Sequence, residues 1–178
     1  MSRHHIIPFN LLRDFYNTVV QRRRLSLLGA FLNTFSRFIP FYAGAAAGQQ
    51  ICLADRVNLV GAVTLAISLA NGVVEAGGEN LPEYFDSFES FYVWMPWNLF
   101  IGPSGDWRSD DPGPGFETQA SHIVNNEQRW NMITSVATDM ITYIVHPDNV
   151  TLMCQHFLGH TIKQLFELPR ILQVINNH

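Results

Sequence analysis

Apolar residues recur at helical spacing over most of the chain. Leu11, Leu12, Phe15, Tyr16, Val19 and Val20 share one face of a helix predicted over 9–23, with Arg13, Asp14 and Asn17 between them. Pro8 closes the segment before it, and Asn10 is the candidate cap. A less regular helical pattern covers 25–38 and is expected to break at Pro40. The small, Ala- and Gly-rich stretch 42–50 is ambiguous. A helix over 56–74, capped by Asp55, is apolar nearly all round and is therefore expected to be buried on most faces. Gly77, Gly78, Asn80 and Pro82 mark a loop, followed by a short aromatic segment over 83–94. Leu99–Ile101 reads as a short strand. A loop rich in Gly, Pro, Ser and Asp covers 102–116, a length usually reserved for function or disorder. Residues 118–145 are strongly helical. Pro147 separates them from a last helix that Asp148 caps and that runs to about Leu168.

Composition keeps this picture to one domain. The 178 residues are 47% hydrophobic and 15% charged, which supplies a core and leaves a sparsely charged surface. The net charge of −4 argues against a module that grips long duplexes by counterion release, though not against an enzyme holding one or two phosphates. The basic run Arg22, Arg23 and Arg24 reads as a solvated helix end. Cys52 and Cys154 sit in apolar contexts and read as buried free thiols. Val57–Val74 is marginal in length for a bilayer span and contains Asn58, Thr64, Ser68 and Asn71, so no membrane partner is expected. No signal peptide is visible.

Three strings carry candidate chemistry. His4-His5-Ile6-Ile7-Pro8 puts two histidines on opposite faces of a strand, so that one can bind a metal while the other faces substrate. Asn98 lies among bulky apolar residues and, if buried, must satisfy up to four hydrogen bonds, by clamping a loop or by orienting a histidine. Arg108-Ser109-Asp110-Asp111-Pro112-Gly113 combines an Arg for phosphate with carboxylates for a hard cation, and His122 opens a helix. The same acidic string is also a good turn sequence. His156 and His160, four apart on the last helix, form a competing metal pair.

Taken in order, Arg3-His4-His5-Ile6-Ile7-Pro8, then Trp97-Asn98-Leu99-Phe100-Ile101-Gly102-Pro103, then His122 on a helix resemble the ββα-metal nucleases, the His-Me finger or HNH superfamily. The flavour is similar to nuclease domains of bacterial polymorphic and contact-delivered toxins. The resemblance implies an α-rich α+β fold, a helical domain with a small ββα-metal element built from the N-terminal strand, the 98–102 strand and the helix after 118. It implies a metal-dependent endonuclease using Mg, Mn, Ni or Zn, with His4 as ligand, His5 as general base, Asn98 as the residue that orients the base-bearing loop and His122 as helix ligand. Arg108 would hold a phosphate. The chain departs from compact members in the long gap from His5 to Asn98, which makes 9–93 a helical insertion, leaving 94–145 as the second half of the motif and 148–168 as a C-terminal helix. Asn stands at position 126, where some members carry a second histidine. The third ligand stays open among His122, Asp110 or Asp111, and His156 or His160.

The implied partners are a nucleic acid and a cognate immunity protein. The implied site of action is the cytoplasm of a target cell, reached as part of a larger toxin. The alternative is a non-catalytic helical interaction module with a Trp- and Phe-rich surface, in which the histidines are incidental.

Overall fold

The computed structural model describes residues 2–46, 53–77, 79–102 and 127–148. Among them are five α-helices: α1 (Phe9–Gln21), α2 (Gly29–Ala46), α3 (Leu53–Ala70), α4 (Phe85–Val93) and α5 (Glu127–Val145). A 3-10 turn at Leu25–Leu28 leads into α2, and another at Pro96–Asn98 leads into the second of two short strands, β1 (Ser2–His5) and β2 (Leu99–Gly102). These strands form an antiparallel two-stranded ribbon.

The expected α+β fold with a ββα-metal element is corrected to a helical one. Strand is confined to two four-residue segments, and no ββα element is evident among the described residues. The physical reason lies in where the apolar surface is. A ribbon of that size buries little, whereas the helices carry nearly all of the core. The long helix is described from Glu127, and its main packing partner is α1 rather than the ribbon. The expected helical start at 118, the greater part of the 102–116 loop and the 148–168 helix lie outside the described residues.

Several element boundaries also differ from expectation. Pro8, not Asn10, precedes the first turn of α1, where its missing N–H would be unpaired in any case. The helix ends at Gln21, and Arg23 takes a left-handed backbone conformation, φ 52°. Pro40 lies inside α2 and does not end it. A proline removes one helical bond, while Phe35 and Ile39 are completely buried on the same helix, and that burial outweighs the loss. Asp55 lies within α3 rather than at its start.

The core is an aromatic cluster between α1, α2 and α4. Tyr16 lies 6.0 Å from Phe88 and 5.7 Å from Tyr92, Phe35 meets Phe88 edge-on at 5.9 Å, and Phe31 stacks on Phe35 at 5.8 Å. The two phenols inside it are satisfied by main-chain acceptors. Tyr16 donates to the Ala76 carbonyl at 2.9 Å, and Tyr92 to that of Leu12 at 3.2 Å. The α3 helix packs on α2 and α4 but is not buried on most faces as expected. Val57, Val60 and Ile67 are exposed.

Candidate functional site

The ribbon brings the first two parts of the sequence motif together. His5 pairs with Leu99, His4 with Phe100, Arg3 with Ile101 and Ser2 with Gly102. The pairing runs on past the strand, because the Ile6 amide donates to the Asn98 carbonyl at 2.8 Å. The 3-10 turn before β2 then aims the Asn98 side chain across the junction, its own amide donating to the Met95 carbonyl at 2.9 Å.

Asn98 is fully buried and clamps the main chain of Ile7. The Ile7 amide donates to Asn98 Oδ1 at 2.6 Å, and Asn98 Nδ2 donates to the Ile7 carbonyl at 2.9 Å. A primary amide carries one acceptor and two donors on one planar group, so it can close a cyclic pair with one residue's main chain. Of the two roles open to a buried Asn98, this is the clamp. It holds the chain two residues after His5, at the point where β1 turns into α1.

His5 is 2% exposed. Its ring lies 4.6 Å from that of Trp94, tilted by 47°. Trp94 closes α4, its amide donating to Ser90 at 3.0 Å, and its indole stays 46% exposed while Met95, Trp97 and Asn98 behind it are buried. The segment is tied from the far side as well. The Arg129 guanidinium at the start of α5 donates to the Trp97 carbonyl at 2.8 Å. Burial lowers the pKa of Arg129 from its ordinary value.

The expected site residues are therefore partly joined. The ribbon brings His5 and Asn98 to neighbouring positions, His5 paired with Leu99 and Asn98 bonded to Ile6 and Ile7. His4 precedes His5 on β1, in register with Phe100. Arg108, Asp110, Asp111 and His122 lie outside the described residues, as do His156 and His160. Among the described residues no group of three His, Cys, Asp or Glu side chains could hold a metal ion. Sequence reasoning missed Trp94 as the neighbour of His5. Nothing distinguishes it in the sequence from Trp97, three residues on, which is buried.

Two further features lie away from the ribbon. Arg22 and Arg24 approach Asp148 at 3.6 Å each, and Arg24 also donates to the Pro147 carbonyl, so part of the basic run faces the end of α5. An apolar cleft of about 630 Å³ opens between α3 and the start of α4, lined by Val57, Val60, Gly61, Leu65 and Tyr84, with Arg56 and Glu83 also on its wall. Tyr84 holds a left-handed backbone, φ 68°, and its ring lies against Gly61, where a Cβ would fall 2.1 Å from the Tyr84 Cγ.

No family model matches the chain. It is similar to putative protein p9 of Acyrthosiphon pisum secondary endosymbiont phage 1, 34% identical over 147 residues. The match takes in 80% of this chain and 39% of that protein, so the chain spans about two-fifths of the relative's length. No solved structure matches. No helix among the described residues is long and apolar enough to cross a membrane.

Proposed function

We propose that this chain hydrolyses phosphodiester bonds as a metal-dependent nuclease, with His5 as the general base. The observation that supports this reading best is the Asn98–Ile7 clamp. It fixes the chain at Ile7, two residues after His5, from a position 91 residues further along, which is the task the nuclease resemblance gives to that Asn. A base needs its imidazole neutral near pH 7 and held within reach of the attacking water; the clamp and the ribbon supply the holding. A bound divalent cation would stabilise charge developing on the phosphate. The described residues do not by themselves make up a donor set for one. Asp110, Asp111 and His122 remain the proposed further ligands, and Arg108 the proposed phosphate contact. The toxin side of the resemblance adds a larger carrier protein, action in the cytoplasm and an immunity protein as partners to test.

A second reading draws on a separate observation. Val57 and Val60 are exposed on α3 beside an apolar cleft, as a helical interaction module would present them. The test between the two is incubation of the full chain with plasmid and with total RNA, in Mg²⁺, Mn²⁺, Ni²⁺ or Zn²⁺ and in EDTA, alongside His5→Ala. Metal-dependent cleavage that falls by on the order of 10²–10⁴ in His5→Ala is expected. Cleavage unchanged in that variant removes His5 from the mechanism, and none in any metal favours the interaction module.

A further inference from the structure

We propose that Trp94 is a stacking platform for one unpaired nucleobase, which makes the substrate of the His5 site a single-stranded or splayed nucleic acid rather than a regular duplex. The proposal rests on the nuclease reading and adds a substrate class to it.

Three observations carry it. First, Trp94 is the exposed residue of a buried string. Its indole is 46% exposed, whereas Met95, Trp97 and Asn98 are between 0 and 2% exposed. The backbone under it is held by the α4 terminus on one side and by Arg129 and the Asn98 clamp on the other. An aromatic ring presented from a fixed backbone loses little freedom when a second ring settles on it, which is what base stacking requires.

Second, the same ring lies 4.6 Å from His5, which is itself only 2% exposed. A phosphodiester in a regular duplex is held at a fixed distance from its stacked base and cannot be led down to so deep an imidazole. A splayed nucleotide can put its base on Trp94 and lay its flexible backbone along the ribbon beside His5. Enzymes that act on buried nucleotide atoms meet the same constraint by taking the base out of the stack.

Third, the chain carries a net charge of −4, and of its three-arginine run Arg22 and Arg24 face Asp148. Affinity for nucleic acid from counterion release is correspondingly small. Stacking supplies binding that needs no positive groove and tolerates any base, because every base offers a π-face.

The experiment measures binding and cleavage separately on the full chain. Anisotropy of labelled single strands, DNA and RNA of one sequence, and of the matching duplexes is recorded in EDTA; cleavage of the same oligonucleotides is recorded in Mg²⁺, Mn²⁺, Ni²⁺ and Zn²⁺ in turn. The parent should bind a single strand at least tenfold more tightly than the duplex. Trp94→Ala should weaken single-strand binding roughly 5- to 150-fold, the range for loss of one stacked base, with KM raised more than kcat is lowered. Trp94→Phe, which keeps a ring, should recover most of the loss, and circular dichroism checks that both variants fold. Equal single-strand affinity in parent and Trp94→Ala overturns the proposal, as does a parent that prefers duplex or binds neither. Cleavage that persists without any dependence on Trp94 sinks the stacking platform alone. Trp94-dependent binding without cleavage in any metal keeps the platform and sinks the nuclease.

Discussion

Asn98 and Ile7 are joined by a closed pair of hydrogen bonds, amide to Oδ1 at 2.6 Å and Nδ2 to carbonyl at 2.9 Å, with both residues fully buried. The side chain imitates one more residue pair of the ribbon at the point where the backbone of β1 turns away. Removing it leaves a buried N–H and a buried C=O unpaired at once. Asn98→Ala should therefore cost roughly 2–5 kcal/mol in urea unfolding. Asn98→Asp keeps the acceptor but loses the donor and buries a charge, so it should be no milder at neutral pH. A loss below 1 kcal/mol in both variants would mean that the clamp is not made in solution.

Gly61 and Tyr84 should show a change of sign. In a helix interior, Gly→Ala ordinarily gains about 1 kcal/mol. Here the added Cβ would fall 2.1 Å from the Tyr84 ring, so the ring must move and Gly61→Ala should destabilise, by about 1–3 kcal/mol before the helical gain is subtracted. In a Tyr84→Gly background the obstacle is gone and the strained φ of 68° is relieved. The same Gly61→Ala should then stabilise by about 1 kcal/mol. Thermal melts of the four proteins decide it. Additive effects would place the ring elsewhere.

Tyr143 is 1% exposed on α5, with its ring 5.7 Å from that of Phe15, and its hydroxyl meets no partner among the described residues. An unpaired buried hydroxyl costs more than its removal. Tyr143→Phe should hold or raise the melting temperature, with a gain of up to about 1 kcal/mol. A fall of similar size would reveal a hydrogen bond made by that hydroxyl.

Two of the five tyrosines should report on alkaline unfolding. Burial, and then the charge of Glu89, raises the pKa of Tyr16 above the ordinary phenol value; burial, and then Tyr16, raises that of Tyr92. Their folded pKa values lie above the unfolded value of about 10. Their contribution is thus fully present below pH ~10 and is lost as pH rises beyond it, because the unfolded chain ionises first. Phenolate absorbance from these two should appear only together with loss of circular dichroism. Ionisation of all five in a still-folded protein would contradict the buried cluster.

The helices were legible in the sequence because their apolar residues repeat at 3.6, and Phe15, Tyr16 and Val19 are buried as that spacing requires. Pro40 misled because a breaker rule weighs one lost hydrogen bond without the burial of Phe35 and Ile39 beside it. The α3 helix misled in the opposite direction. With apolar residues on every side, its sequence does not say which side is left exposed, and Val57 and Val60 turned out to be on that side. At the site, the approach of the 4–8 segment to the 98–102 segment was expected from motif order, and the choice of a clamp on Ile7 over a contact to histidine needed geometry. Trp94 beside His5 had no signal, since the contact joins the end of α4 to β1 across most of the described chain.

The ribbon and the clamp enclose α1 to α4 in a single closed loop of the chain. Closing a loop of that length gains nothing until the helices within it have docked and drawn its ends together. The motif that sequence reads first is thus assembled last. Local helices can form and find one another on their own timescale, while His5 waits for a partner segment more than ninety residues away. Reversed, the same topology makes the ribbon the seam along which the molecule first opens, so loss of the His5 surroundings can precede loss of the helical core.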